Sequence, residues 1–147
     1  MSPSPYNLEE SLGYVMARAA RALGTRLNRN FADAGHDVTC EQWSVLTNLW
    51  SRNGQSQQDL AGTTCKGKAS VTRLIDNMER HNLVVRIPSK DDRRQKLIYL
   101  TRKGRDLQER LAAVVRQTLN EAQKKISPRE IGQCKKILCR IYENVKD

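Results

Sequence analysis

Basic side chains are concentrated between residues 61 and 105 of this 147-residue chain, where they could neutralise the phosphates of a polyanion. That stretch carries 12 Lys/Arg and 4 Asp/Glu, a net charge of +8 out of a formal +10 for the chain. Residues 1–60, with 5 and 6, and residues 106–147, with 9 and 6, contribute little. Such an uneven distribution indicates a binding surface for a polyanionic partner rather than a uniformly basic exterior.

Two clusters of mainly polar residues have the chemistry to bind double-stranded DNA. The first surrounds the start of a predicted helix: Lys66, Lys68, Ala69, Ser70, Thr72 and Arg73. Its lysines are expected at phosphates near the positive end of the helix. We expect Ser70, Thr72 and Arg73 at base edges or adjacent phosphates, because arginine can grip guanine through two hydrogen bonds. The alternative for Arg73 is a surface ion pair with Asp76, or with neighbours on the Asn77 side, on its own helix.

The second cluster lies at the tip of a predicted strand pair: Lys90, Arg93, Arg94 and Lys96. Residues 89–95 are highly charged and include no large apolar residue, which is typical of an extended hairpin tip. Arginines at such a tip could enter a narrow minor groove, whose negative potential is enhanced. We expect Lys90, Arg93 and Lys96 at phosphates, and the alternative is a solvated charged loop.

A helix-turn-helix followed by two strands must position both clusters. Ser56 is the predicted cap of a short helix, residues 65–67 form the turn, and the next helix covers about residues 68–81. Its buried face is predicted to be Val71, Leu74, Ile75 and Met78. Strands are predicted at residues 83–87 and 96–100. The helix fits a DNA major groove and the strand pair fits the neighbouring minor groove.

Long amphipathic helices are predicted on both sides of this unit. The first carries an apolar stripe of Leu8, Leu12, Val15, Ala19, Leu23 and Leu27. It should end near Gly35, and Thr39 should cap the helix that follows. Thr101 is expected to cap one long helix, and Ser127 to cap a last helix. That last helix carries a seam of Ile131, Cys134, Leu138, Ile141 and Val145, with Cys134 expected in the core.

The predicted fold class is mainly α with a small β-wing, a winged helix-turn-helix between N- and C-terminal dimerisation helices. The boundaries are residues 1–36 for the N-terminal helix, 37–103 for the DNA-binding module and 104–147 for the C-terminal helices. A monomer would leave both terminal apolar stripes uncovered, so we infer a homodimer that pairs them across a two-fold axis. Packing of these helices onto their own winged module is the alternative.

The segments ASVTRLIDNMERHNLVVR and DDRRQKLIYLTRKG resemble the recognition helix, wing and following helix start of the MarR family of bacterial transcriptional regulators. The resemblance covers nearly the whole chain. It implies a homodimer that binds a pseudo-palindromic operator, usually as a repressor, and that a small ligand or an oxidant can release. It also places the wing-tip arginine at Arg94 and gives Asp92 the role of bracing the wing through a salt bridge.

The resemblance further implies an effector pocket between the first helix, the winged module and the fifth helix, for a small aromatic or anionic ligand. Its candidate wall residues are Tyr14, Arg18, Trp43 and Leu46, and Arg18 or Arg21 could receive an anion. Packing at the domain junction, or an ion pair at the interface, is the favoured alternative for each of them.

Thiol chemistry is a second possible form of control. Cys65 precedes the recognition helix beside Lys66, and Cys40 starts another helix, so both thiols could be activated as thiolates. A small structural residue without a redox role is the favoured alternative for both. Oxidant-sensing relatives carry a reactive cysteine in the first helix, where this chain has Gly13.

Other classes of protein fit the sequence less well. A Gly-rich phosphate loop, a metal-ligand cluster and a nucleophile–base pair are all missing, so we expect no enzyme, metal or cofactor. A signal peptide and a membrane-spanning stretch are also missing, which predicts a cytoplasmic location without a membrane partner. An architectural protein with little sequence preference remains the main alternative. A protein-binding adaptor would not need the arginine-rich wing.

Overall fold

The computed structural model describes residues 7–64 and 68–147 of the chain. The helices are α1 Leu12–Asp33, α2 Cys40–Ser51, α3 Gln57–Thr64, α4 Lys68–Arg80, α5 Arg102–Asp106, α6 Gln108–Ala122 and α7 Pro128–Val145. The strands are β1 Gln55–Ser56, β2 Val84–Pro88 and β3 Lys96–Leu100. The predicted fold class is confirmed: mainly α, with a small antiparallel sheet that forms the wing.

Local capping signals fix the starts of α2 and α7. Thr39 accepts a hydrogen bond from the Gln42 backbone N–H at 3.2 Å, and Gln42 accepts one from the Thr39 backbone at 3.1 Å. Ser127 and Glu130 form the same reciprocal box at 3.1 and 3.0 Å. The backbone and side-chain hydrogen bonds from Ser127 lower the pKa of the Glu130 carboxyl. Both predicted caps are therefore confirmed.

The sheet has the order β1-β3-β2, with both pairings antiparallel. Val84 pairs with Leu100 and Pro88 with Lys96, which makes the two long strands a five-residue ladder. The strand predicted at residues 83–87 thus begins and ends one residue later in the structure, and Pro88 is its last residue. The two-residue β1, which pairs Gln55 with Ile98, was not predicted.

The predicted single helix after Thr101 is wrong, because α5 and α6 are separated at Leu107. Thr101 does cap α5, since its hydroxyl accepts the Gly104 backbone N–H at 3.0 Å. The Trp50 indole N–H donates to the Gly104 carbonyl at 2.9 Å. A continuous helix would use that carbonyl to bind residue 108. α5 is therefore held against α2, while α6 packs along α1.

The core lies inside the winged module and extends to the ends of α1 and α6 that meet it. Its fully buried side chains are Phe31, Val45, Leu46, Leu49, Leu60, Val71, Ile75, Met78, Leu83, Val84, Ile98 and Leu111. On α4 the predicted inward face is confirmed for Val71, Ile75 and Met78, with Leu74 partly buried. α7 buries none of its residues in the single chain, so the expectation that Cys134 lies in this core is wrong.

Candidate nucleic-acid interface

The helix α4 presents a polar face because its apolar residues recur at helical spacing and turn the others outward. Val71 is fully buried, whereas Thr72 and Arg73 are exposed and Ser70 is half-buried. The backbone of Lys68 begins the helix, as predicted. The predicted roles of Lys66 and Cys65, and of the Lys68 and Ala69 side chains, lie outside the described part of the chain.

Thr72 is held in place by the helix that precedes the turn. Gln57, the first residue of α3, donates through its side-chain amide to the Thr72 hydroxyl at 2.6 Å. This contact orients the Thr72 side chain on the exposed face of α4.

Arg86 of β2 is the centre of a network that joins the strand to α3 and α4. Its guanidinium lies 2.7 Å from an Asp76 oxygen and forms a close ion pair with Glu79. It also donates to the Gln57 side-chain carbonyl at 3.4 Å and to the Thr72 backbone carbonyl at 3.3 Å. Only 18% of the Arg86 side chain is exposed.

Arg86 was not among the residues predicted from the sequence, although its position in the strand held a signal. Residues two apart in a strand share a face, and Val84 is a core residue. An arginine on that face must find partners, because an unpaired charge is costly to bury. In the described residues Asp76 pairs with Arg86, and the Arg73 side chain is exposed.

The wing tip is an ordered turn with its cations outside. Ser89 donates its backbone N–H to the Gln95 carbonyl at 2.8 Å, and Gln95 donates to the Asp92 carbonyl at 2.9 Å. The Asp92 carboxylate accepts the Arg94 backbone N–H at 3.0 Å. Asp92 thus braces the wing through a hydrogen bond to the backbone. The salt bridge that the resemblance implied for Asp92 is not found among the described residues. The exposed cations of the tip are Lys90, Arg93, Arg94 and Lys96.

A shallow polar cleft joins the tip of the wing to the start of α3. It is lined by Ser56, Gln57, Gln58, Arg94, Gln95 and Lys96. Ser56 caps α3 as predicted, because its hydroxyl accepts the Asp59 backbone N–H at 3.0 Å. Arg94 and Lys96 therefore lie beside the positive end of a helix, in a region that favours negative charge.

The four predicted effector-pocket residues have different surroundings. Arg18 lies over the Tyr14 ring, 5.4 Å from its centroid, on exposed α1. Trp43 packs in the interior, with ring centroids 6.3 Å from Phe31 and 5.4 Å from Trp50. Leu46 is completely buried. The cleft that contains Arg18 is lined by α1 residues alone, and Tyr14, Trp43 and Leu46 are not among them.

Of the two cysteines predicted as redox thiols, Cys40 lies in the described part of the chain. Cys40 is half-buried at the start of α2, and its backbone N–H donates to the Asn28 side chain at 2.7 Å. This contact links α2 to α1 and gives Cys40 a structural position at their junction.

Among the described helices, none has the length and apolarity that crossing a membrane requires.

Comparison with known proteins identifies the family. Residues 38–96 match the MarR family, a span from just before α2 to the first residue of β3. The transcriptional activatory protein BadR of Rhodopseudomonas palustris is 33% identical over 138 residues, which cover 90% of this chain and 75% of BadR.

Solved structures agree in fold over almost the full length. BpsR of Bordetella bronchiseptica has a TM-score of 0.86 at 24% identity, covering 98% of this chain and 100% of BpsR. The transcriptional repressor CouR of Rhodococcus jostii RHA1, solved on a 23-mer DNA duplex, has a TM-score of 0.82 at 25% identity. That match covers 96% of this chain and 99% of CouR. With its winged helix, its exposed basic wing and these relatives, the chain belongs to the MarR family of transcriptional regulators.

Proposed function

We propose that the chain acts as a homodimer that binds a pseudo-palindromic operator in the cytoplasm and represses transcription from it. The observation that carries the proposal is the Arg86 network, which fixes the exposed face of α4 relative to a basic wing. Such a rigid pair of elements suits simultaneous contact with a major groove and an adjacent minor groove. The predicted DNA-contacting residues on α4 and the wing are retained in this proposal.

The apolar faces of the terminal helices support the dimer. Between α1 and α7 lies a groove with a volume of about 840 Å³, lined mainly by apolar side chains. Leu12 is 57% exposed and Ile137 is 55% exposed in the single chain. Exposed apolar surface of this extent marks an association site. We assign it to a second copy of the chain, with residues 1–36 and 104–147 forming the dimerisation part and 37–103 the DNA-binding module.

The dimer would present two copies of α4 to the same side of a duplex. Winged and helix-turn-helix dimers of this kind read half-sites about one helical turn apart, about 34 Å. A ligand can regulate such a dimer only if it binds the DNA-competent and DNA-incompetent spacings with different affinities. DNA binding by BpsR is regulated by 6-hydroxynicotinic acid, and CouR has been solved with p-coumaroyl-CoA. A small aromatic or anionic effector is therefore part of the proposal.

The test is binding of the full-length protein to DNA from upstream of its own gene, measured by fluorescence anisotropy. A scrambled duplex of equal length serves as the control, and both are titrated at several salt concentrations. A preference of about a thousandfold or more is expected for a sequence-specific regulator. Equal and steeply salt-dependent binding to both duplexes would instead favour the architectural alternative. Reporter expression with and without the protein then distinguishes repression from the activation that the name of BadR describes.

A further inference from the structure

Every basic residue of α1 lies along one side of the helix. Arg18, Arg21, Arg26 and Arg29 line a single open cleft, together with Ala22 and Thr25. We call these four arginines the arginine row. Because a helix rises 1.5 Å per residue, the row is about 17 Å long from Arg18 to Arg29.

The charge of the arginine row is largely unbalanced within the described part of the chain. Arg26 binds Glu121 of α6 at 3.3 Å, and both side chains are well exposed. Neither Arg21 nor Arg29 forms an ion pair with a carboxylate in the described residues. Like charges three positions apart on a helix repel each other, as in Arg26 and Arg29. An anion from outside the chain would relieve this repulsion.

The chemistry of the row indicates which anion it can bind. A guanidinium binds phosphate through two parallel hydrogen bonds, so a row of them suits several phosphate groups better than one carboxylate. Ala22 has a small side chain that leaves room for close approach, and Thr25 offers a hydroxyl donor. Arg18 is already ordered by its contact with Tyr14, which reduces the entropy lost on binding.

We propose that the arginine row binds a small molecule with two or more phosphate groups, such as a nucleotide that carries a di- or triphosphate chain. This site differs from the predicted effector pocket, because Trp43 and Leu46 do not line it. Binding of the phosphate ligand does not depend on the proposed function. Only its effect on DNA binding, which would act through the contacts between α1 and α6, rests on that function.

That link consists of two described polar contacts. Arg26 binds Glu121 at 3.3 Å, and Asn30 donates to the Thr118 hydroxyl at 2.8 Å. A phosphate bound at Arg26 competes with Glu121 and weakens one of the two contacts. α6 also reaches the core through Leu111, so a shift of α1 against α6 changes how the winged module is held. By reciprocity, a ligand that lowers DNA affinity is itself bound less tightly on DNA.

The experiment is isothermal titration of the full-length protein with inorganic triphosphate at low ionic strength. The test variant is the double substitution Arg21→Gln and Arg29→Gln, and the matched control is Arg110→Gln with Arg116→Gln. Both variants remove two exposed cations, but Arg110 and Arg116 lie on α6 outside the row. We expect affinity for triphosphate to fall about tenfold or more in the test variant only. Equal losses in both variants, or no binding by the wild type, would overturn the proposal.

DNA binding measured on the same variants without triphosphate separates the two proposals. The arginine row is expected to leave operator affinity unchanged, because its ligand is not DNA. A loss of operator affinity in the Arg21/Arg29 variant alone would make the row a DNA contact and overturn the ligand assignment. If the wild type shows no preference for any operator but binds triphosphate through the row, the proposed function fails and the anion site stands.

Discussion

Arg86 on the wing strand lies 2.7 Å from Asp76 on helix α4, and this contact joins the two elements that we propose to face DNA. The same guanidinium reaches Glu79, Gln57 and the Thr72 carbonyl. One side chain thus sets the angle between α4 and the wing, although it does not itself lie at the exposed tip. We therefore expect specificity for an operator to depend on that angle as well as on the residues proposed to touch bases.

Replacing Arg86 with alanine should destabilise the fold and weaken operator binding together. Asp76 and Glu79 would lose their shared counter-ion, so we expect the free energy of unfolding in urea to fall by about 2 kcal/mol. Arg116→Ala removes an exposed arginine elsewhere and should change it by less than about 0.5 kcal/mol. The slope of log affinity against log salt should be retained, because Arg86 contacts no phosphate. An unchanged free energy of unfolding in Arg86→Ala would show that the Arg86 network does not stabilise the fold.

Arg94→Ala tests whether the Arg94 side chain contributes to DNA affinity without contributing to the stability of the wing. The described contact of Arg94 uses its backbone N–H, which alanine keeps, so the melting temperature should be unchanged. Operator affinity should fall by about an order of magnitude or more, because the guanidinium no longer enters the minor groove. Thermal unfolding and anisotropy on one preparation make the comparison. Wild-type affinity in this variant would remove Arg94 from the interface.

Lys68→Ala tests the helix end of the interface. A phosphate contact carries no sequence information, so operator and random duplexes should lose affinity to a similar extent. The salt slope should decrease by about one unit, since one fewer counterion is released. Anisotropy titrations over a range of salt concentrations measure both quantities. A loss confined to the operator would instead assign Lys68 to base recognition.

Local signals predicted a large part of this structure, and long-range contacts account for what was missed. The caps at Thr39 and Ser127 and the inward face of α4 depend on residues three or four positions apart, which the sequence displays directly. The carbonyl of Gly104, three residues before the break at Leu107, accepts a hydrogen bond from Trp50, which is 54 positions away in the chain. Gln57 likewise binds Thr72 at a separation of 15. Such contacts follow from the packing of the fold, so sequence spacing could not reveal them.

Gly104 is predicted to tolerate no side chain. A Cβ at this position would lie 2.3 Å from the Leu83 carbonyl oxygen, closer than packed atoms can approach. Gly104→Ala should therefore cost about 1–3 kcal/mol of stability. Gly62 is the matched control, because a Cβ on this α3 residue meets no atom of the described residues within 4 Å. Gly62→Ala should stabilise by about 0.5–1 kcal/mol, and urea unfolding of both variants would detect the opposite signs.

A charge in the groove between α1 and α7 should dissociate the proposed dimer without unfolding the winged module. Ile137→Glu places a carboxylate where a second copy would bury an apolar side chain, and α7 contributes nothing to the core of the single chain. Lys135→Gln is the control, since it lowers the net charge equally on a residue of α7 outside the groove. Sedimentation velocity should find monomers only for Ile137→Glu, with operator affinity reduced because each half-site then binds separately. A dimer that survives Ile137→Glu would move the two-fold contact to another surface and leave the groove without a second copy of the chain.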